Sequence, residues 1–138
     1  MATDKTQGLP HVAAATTAEI NTSTSNIEII ENADIIILAV KPWLVETIAS
    51  EFVSRLDYSK QIIVSIAAGV EIERLKEYFD ESAIIFRLIP NTAIDVLQSA
   101  STVSAYNSNP DLNKLIISIF SELGKVFFVP ESQLLILS

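Results

Sequence analysis

The chain has no cysteine and a single histidine, His11. These two scarcities exclude disulfides and thiolate metal sites and leave no ligand set for a zinc cluster, so no metal site is expected. A cysteine-free chain suits a reducing cytoplasm, which is the expected location. Basic residues are also few: 9 Lys and Arg against 17 Asp and Glu, for a formal net charge of −8. The basic residues are scattered, which argues against a nucleic-acid partner, because phosphate binding needs clustered cations. No apolar run approaches the roughly 20 residues that cross a bilayer. The opening Met1-Ala2-Thr3-Asp4-Lys5-Thr6 has no apolar stretch of the signal-peptide kind. A soluble protein without a membrane partner is expected. No nucleophile elbow accompanies a Ser-His-Asp order, so serine-hydrolase chemistry has no support. Aromatic residues make up 7% of the chain, leaving little material for stacking bases.

What the chain does have is aliphatic bulk. At 138 residues and 49% hydrophobic, it is long enough for one domain with a buried core. Three runs stand out: Asp34-Ile35-Ile36-Ile37-Leu38-Ala39-Val40-Lys41-Pro42, Ile63-Val64-Ser65-Ile66-Ala67-Ala68-Gly69-Val70 and Phe86-Arg87-Leu88-Ile89-Pro90-Asn91-Thr92-Ala93. Each is a β-branched stretch ending in small or polar residues. Parallel strands covered on both faces read this way, and ligands of such sheets bind at the strands' carboxyl ends.

Between and beyond these runs the pattern switches to helical periods. Residues 5–20 read as a loop leading into a short helix. Ser25 with Glu28 forms a capping-box signal for a helix over Asn26–Asn32. Residues 35–40 read as a central strand, and Pro42 opens a helix of about 14 residues through the stripe Leu44, Ile48, Phe52 and Leu56. A strand over 61–66, a helix over 70–79 and a strand over 84–89 follow. Residues 100–106 predict a fourth strand, Pro110 opens a helix to about Leu123 with Gly124 as its C-cap, and 126–129 predict a last strand. The apolar tail Leu134–Leu137 runs to Ser138 without a closing turn, so the chain is expected to end within an element. Alternating strands and helices imply an α/β, Rossmann-like, doubly wound and mostly parallel sheet with flanking helices.

Each strand-end turn admits a ligand and also a purely structural role. Ala39-Val40-Lys41-Pro42 sets a small residue and a cation where a strand meets a helix N-terminus, a place suited to an anion; Lys41 as a solvated side chain and Pro42 as a helix opener explain it equally. Ala67-Ala68-Gly69 would let a ring or ribose approach the backbone, or is a tight turn that needs its glycine. Asn91 and Thr92 offer an amide and a hydroxyl to a carboxylate or carboxamide, or cap a helix. Trp43 reads as a packing or interface residue, His11 as a loop residue, and Glu71, Glu73 and Glu77 as a solvated helix face.

Taken together, AVKPW, SIAAGV and R-L-IPNTA resemble the N-terminal domain of the pyrroline-5-carboxylate reductases, which reduce Δ1-pyrroline-5-carboxylate to proline with NAD(P)H. The resemblance extends through Ser25-Asn26-Ile27-Glu28, Asn32-Ala33-Asp34, Phe120-Ser121-Glu122-Leu123-Gly124 and Pro130-Glu131, covering residues 21–138. It implies an oxidoreductase of proline biosynthesis that uses NADP or NAD and acts on a small molecule as a homo-oligomer. It also implies that Asn26, Ala39, Val40, Lys41 and Pro42 line the dinucleotide, that Ala67, Ala68 and Gly69 lie beside the nicotinamide, and that Asn91 and Thr92 sit near the reacting centre. If residues 1–6 correspond to the end of the family's second strand, Thr3, Asp4, Lys5 and Thr6 meet the adenosine ribose and its 2′-phosphate. Lys5 there leans towards NADP, and Asp4 leans the other way.

The departures from the family matter as much. Its opening βα unit carries a G-x-G-x-x-G turn for the pyrophosphate, and this chain's only glycines are Gly8, Gly69 and Gly124. The family continues from a Leu-Ser pair, resembled by Leu137-Ser138, into a Ser-Gly-Pro-Ala-like turn and a helical dimerisation domain. The chain is thus read as a single partial dinucleotide-binding domain over 1–138 without that second domain, and as inactive or nearly so by itself. Without the family's first strand the edge of 35–40 lies open, which favours self-association. Two alternatives remain: a relative of the coenzyme F420-dependent NADP oxidoreductases, against which the IPNTA turn weighs, and a non-catalytic binding or assembly module, for which the missing glycines speak.

Overall fold

A computed structural model of the chain describes residues 21–90 and 99–134. The first helix, α1 (Asn26–Ile30), begins where the capping signal sits: the Ser25 hydroxyl accepts the Glu28 amide at 3.4 Å. The reciprocal arm of the box is relayed. The Ser25 amide donates to the Ser23 hydroxyl at 3.0 Å, and that hydroxyl donates to the Glu28 carboxylate at 2.5 Å.

Five strands follow in one sheet whose spatial order equals the chain order: β1 (Ile35–Leu38), β2 (Ile62–Ser65), β3 (Ile84–Ile89), β4 (Ser99–Tyr106) and β5 (Gly124–Phe128). β1, β2 and β3 pair parallel, as do β4 and β5. The β3–β4 pair is antiparallel, with Ile85 opposite Tyr106 and Ile89 opposite Thr102. The cause is length. Residues 90–98 alone separate Ile89 from Ser99, too few for the dozen or more that a parallel crossover needs.

The helix expected after Pro42 is present in three pieces: a 3-10 turn Pro42–Leu44, α2 (Val45–Phe52) and a second 3-10 turn Val53–Arg55. Its buried stripe is Val45, Ala49 and Phe52, one residue out of step at its start from the predicted Leu44, Ile48 and Leu56, which are half-buried. The shift arises because the first turn is wound at three residues per turn. α3 (Ile72–Tyr78) follows β2, and α4 (Pro110–Phe120) joins β4 to β5, capped by Asn109, whose side-chain oxygen accepts the amides of Asp111 and Leu112. Gly124 is the C-cap, as expected: its amide donates to the Ser121 carbonyl at the end of the 3-10 turn Ser121–Leu123 that follows α4, and it also starts β5, at φ 142, where side chains are rarely tolerated.

The two faces of the sheet bury separate clusters. On one, Ile36, Leu38, Ile63 and Ile85 meet Ile30 of α1, Val45, Ala49 and Phe52 of α2, and Leu75 and Phe79 around α3. On the other, Ile62, Val64, Phe86, Leu88 and Val103 meet Ile116 and Phe120 of α4. Helices on both faces make the fold doubly wound, as expected. β1, read as a central strand, stands at one end of the strand order among the described residues, with Ile37 48% exposed. None of the described helices is long and apolar enough to cross a membrane.

Candidate dinucleotide site at the carboxyl edge of the sheet

The parallel register brings the strand ends level. Leu38 pairs with Ser65 and Ser65 with Arg87, and the Ile66 amide donates to the Leu38 carbonyl at 3.1 Å. The turns that leave β1 and β2 therefore emerge side by side at one edge, with Pro90 leaving β3 beyond them. In the first turn Ala39 and Lys41 are exposed while Val40 and Pro42 are half-buried. Pro42 stands at the first position of its 3-10 turn, where its missing N–H costs nothing. The Lys41 side chain is thus exposed to solvent where β1 gives way to that turn.

In the second turn Ala67 is buried and Ala68 and Gly69 are exposed. Gly69 takes φ +76, and a Cβ built there meets nothing within 4 Å. Its backbone conformation, not crowding, selects glycine, and the space beside it is open to an incoming ring. Asn26, at the start of α1, is 7% exposed and donates its amide to the Glu51 carboxylate of α2 at 2.7 Å. That bond ties the start of α1 to the C-terminal end of α2.

Thr3, Lys5, Asn91 and Thr92 lie outside the described residues, as does His11. The connection that carries Asn91 and Thr92 nevertheless has fixed ends. Because β4 runs antiparallel to β3, Ile89 and Thr102 pair near the same edge from which both Pro90 and Ser99 depart.

Beneath the turns lies a polar floor that the sequence reading missed. Ser65, Arg87, Thr102 and Ser104 are all buried on the α1–α3 side of β2, β3 and β4. Arg87, 2% exposed, donates from Nη1 to Oε1 of Glu131 at 2.7 Å, and the same oxygen accepts the Ile72 amide at 2.7 Å. A cation inside an otherwise apolar strand was the available signal, since buried charges need partners. Its partner, Glu131, lies in a 3-10 turn, Glu131–Gln133, after β5.

The displaced carboxyl pKa values belong elsewhere. The Ser59 hydroxyl and amide hold Asp57 below the usual carboxylate range, and Ser82 does the same for Asp80. Both acids sit in turns that enter β2 and β3, at the edge opposite the site. No group of acidic or histidine side chains able to hold a metal occurs among the described residues.

Residues 5–69 match the family model of the coenzyme F420-dependent NADP oxidoreductases. The pyrroline-5-carboxylate reductase of Methanosarcina acetivorans is 35% identical over 114 residues, 82% of this chain and 42% of the relative. Among solved structures, the pyrroline-5-carboxylate reductase of Coxiella burnetii superposes with a TM-score of 0.79 at 29% identity, over 83% of this chain and 43% of that one. The Plasmodium falciparum pyrroline carboxylate reductase, solved with NADP bound, gives 0.77 at 26% identity, over 85% and 44%. The chain spans about two-fifths of the length of the curated relatives it matches, 42% of the first. In sequence and in fold alike, it is homologous to part of the pyrroline-5-carboxylate reductases.

Proposed function

We propose that the chain is the dinucleotide-binding unit of a pyrroline-5-carboxylate reductase and takes NADP(H) or NAD(H) at the carboxyl edge of β1 to β3. The observation that carries this reading is the alignment of the Ala39–Pro42 and Ala67–Gly69 turns at one edge, with open space at Gly69, in a chain whose fold matches a reductase solved with NADP. Ala39, Val40, Lys41 and Pro42 would flank the dinucleotide, and Lys41 would supply a charge to its phosphates. Ala67, Ala68 and Gly69 would admit the nicotinamide ring. Asn26, whose amide is tied to Glu51, would line the dinucleotide with the Ala39–Pro42 turn. Thr3 and Lys5 are assigned to the adenosine ribose and its 2′-phosphate, and Asn91 and Thr92 to the reacting centre.

When bound, the cofactor supplies the hydride for reduction of the cyclic imine to proline. The chain's own part is to orient the ring and keep water from the reacting face. In this reading residues 1–138 form one dinucleotide-binding unit of a cytoplasmic homo-oligomer. A second reading, an NADP oxidoreductase dependent on coenzyme F420, is favoured by the match over residues 5–69. Both readings place the same cofactor at the same edge.

The test is titration of the purified chain with NADPH and NADH, followed by energy transfer from Trp43, which is 74% exposed next to Pro42. Saturable binding in the micromolar range is expected, and no binding at millimolar cofactor overturns the proposal. Reduction of pyrroline-5-carboxylate, against reduction of F420, separates the two substrate readings in a protein that contains this unit.

A further inference from the structure

We infer that Arg87 and Glu131 form a positioning pair for the Ala67–Gly69 turn, an inference that rests on the cofactor reading above. One carboxylate oxygen of Glu131 binds two elements at once: Nη1 of Arg87 in β3 and the backbone amide of Ile72, the first residue of α3, each at 2.7 Å. Ile72 stands three residues after Gly69. The turn is therefore held at its strand side by β2 and at its helix side by Glu131. Leu134, fully buried three residues beyond Glu131, anchors the 3-10 turn that presents the carboxylate.

The arrangement suits placement better than general stabilisation. Arg87 is 2% exposed, and its Nε and Nη2 have no hydrogen-bond partner among the described residues. A buried guanidinium with two unused donors is poorly compensated, and an apolar side chain of similar volume would fill the site at lower cost. Among the described residues Glu131 is its only carboxylate partner, so the charge fixes one geometry. That geometry sets where α3 starts, and hence where the backbone of residues 67–69 lies under the nicotinamide.

The experiment is amide hydrogen exchange, resolved by NMR, on the full chain and on Glu131→Ala and Glu131→Gln, with NADPH titration of all three. Gln keeps an acceptor oxygen and the side-chain shape. For Glu131→Ala we expect exchange at Ile72 and the neighbouring turn amides to rise about tenfold, the effect of losing one hydrogen bond. Exchange in β1 and β2 should stay unchanged, NADPH affinity should fall about tenfold, and Glu131→Gln should recover most of both losses. Unchanged protection at Ile72 in Glu131→Ala, or a loss spread evenly over the whole core, overturns the inference. So does unaltered NADPH affinity in Glu131→Ala. If the unsubstituted chain itself binds no NADPH, the proposed function fails, and the exchange data alone decide whether the pair holds the turn.

Discussion

The side chain of Gln61 holds the carbonyl of Ile30 at 2.7 Å, closing the end of α1 onto the entrance of β2. The same amide nitrogen donates to the Ala33 carbonyl at 2.8 Å, and the Gln61 carbonyl accepts the Asp57 amide at 2.8 Å. One buried residue thus bonds three backbone groups in the bends that leave α1 and enter β2. Gln61→Leu would strand the Ala33 carbonyl and the Asp57 amide, whereas the Ile30 carbonyl keeps the Ala33 amide at 3.1 Å, and a loss of about 2–4 kcal/mol is expected from urea unfolding, since each abandoned buried group costs about 1–3 kcal/mol.

Phe52 tests the core of the α1–α3 side. It is 2% exposed and lies 6.4 Å from the Phe79 ring, centroid to centroid. Phe52→Ala removes both that contact and the packing against β1, and a loss of about 3–5 kcal/mol is expected by the same measurement.

Gly69 separates stability from binding. A methyl at this position meets no neighbour but must adopt φ +76, a conformation costing about 1–2 kcal/mol for a residue with a Cβ. Gly69→Ala should therefore lower stability by that modest amount while weakening NADPH binding more strongly, because the methyl enters the space assigned to the ring. Equal losses in both would mean that the turn does not face the cofactor.

Lys41 is exposed and has no ion pair among those of the described residues. Lys41→Glu should leave the thermal midpoint in place and reduce affinity for NADPH at low ionic strength, with the difference from the unsubstituted chain shrinking as salt is added.

Acid sensitivity has a defined origin in two turns. Asp57 and Asp80 have folded pKa values depressed by hydrogen bonds from Ser59 and Ser82. The stabilisation they provide is complete above the unfolded carboxylate value of about 4 and is lost as pH falls through their lower folded values. Both side chains are exposed, so the effect is small. Replacing Ser59 and Ser82 together by Ala should narrow the gap between urea midpoints measured near pH 6 and pH 2.

Much of this architecture could be read from the chain. β3 coincides with the predicted 84–89, because a β-branched run bounded by a polar turn and a proline leaves little choice. The sheet's helical covers followed from caps and apolar spacing. The direction of β4 did not follow from its composition, since alternation says nothing of polarity, although the short connection before it carried the information. Arg87 and Gln61 were absorbed into strands as ordinary members. Their partners depend on contacts 44 and 31 residues away along the chain, and no local pattern reports such a distance. The exposed i, i+3 pairs, Lys76 with Glu73 and Arg74 with Glu77, were legible as a solvated face and contribute little.

The reversal at β4 has a consequence for engineering. Because both anchors of the 91–98 connection stand at the same sheet edge, its length can change without moving any strand. For flexible chain between two fixed ends, doubling the length costs only about 0.6 kcal/mol of closure entropy. Segments of different length could be grafted between Pro90 and Ser99, with the sheet serving as a fixed chassis.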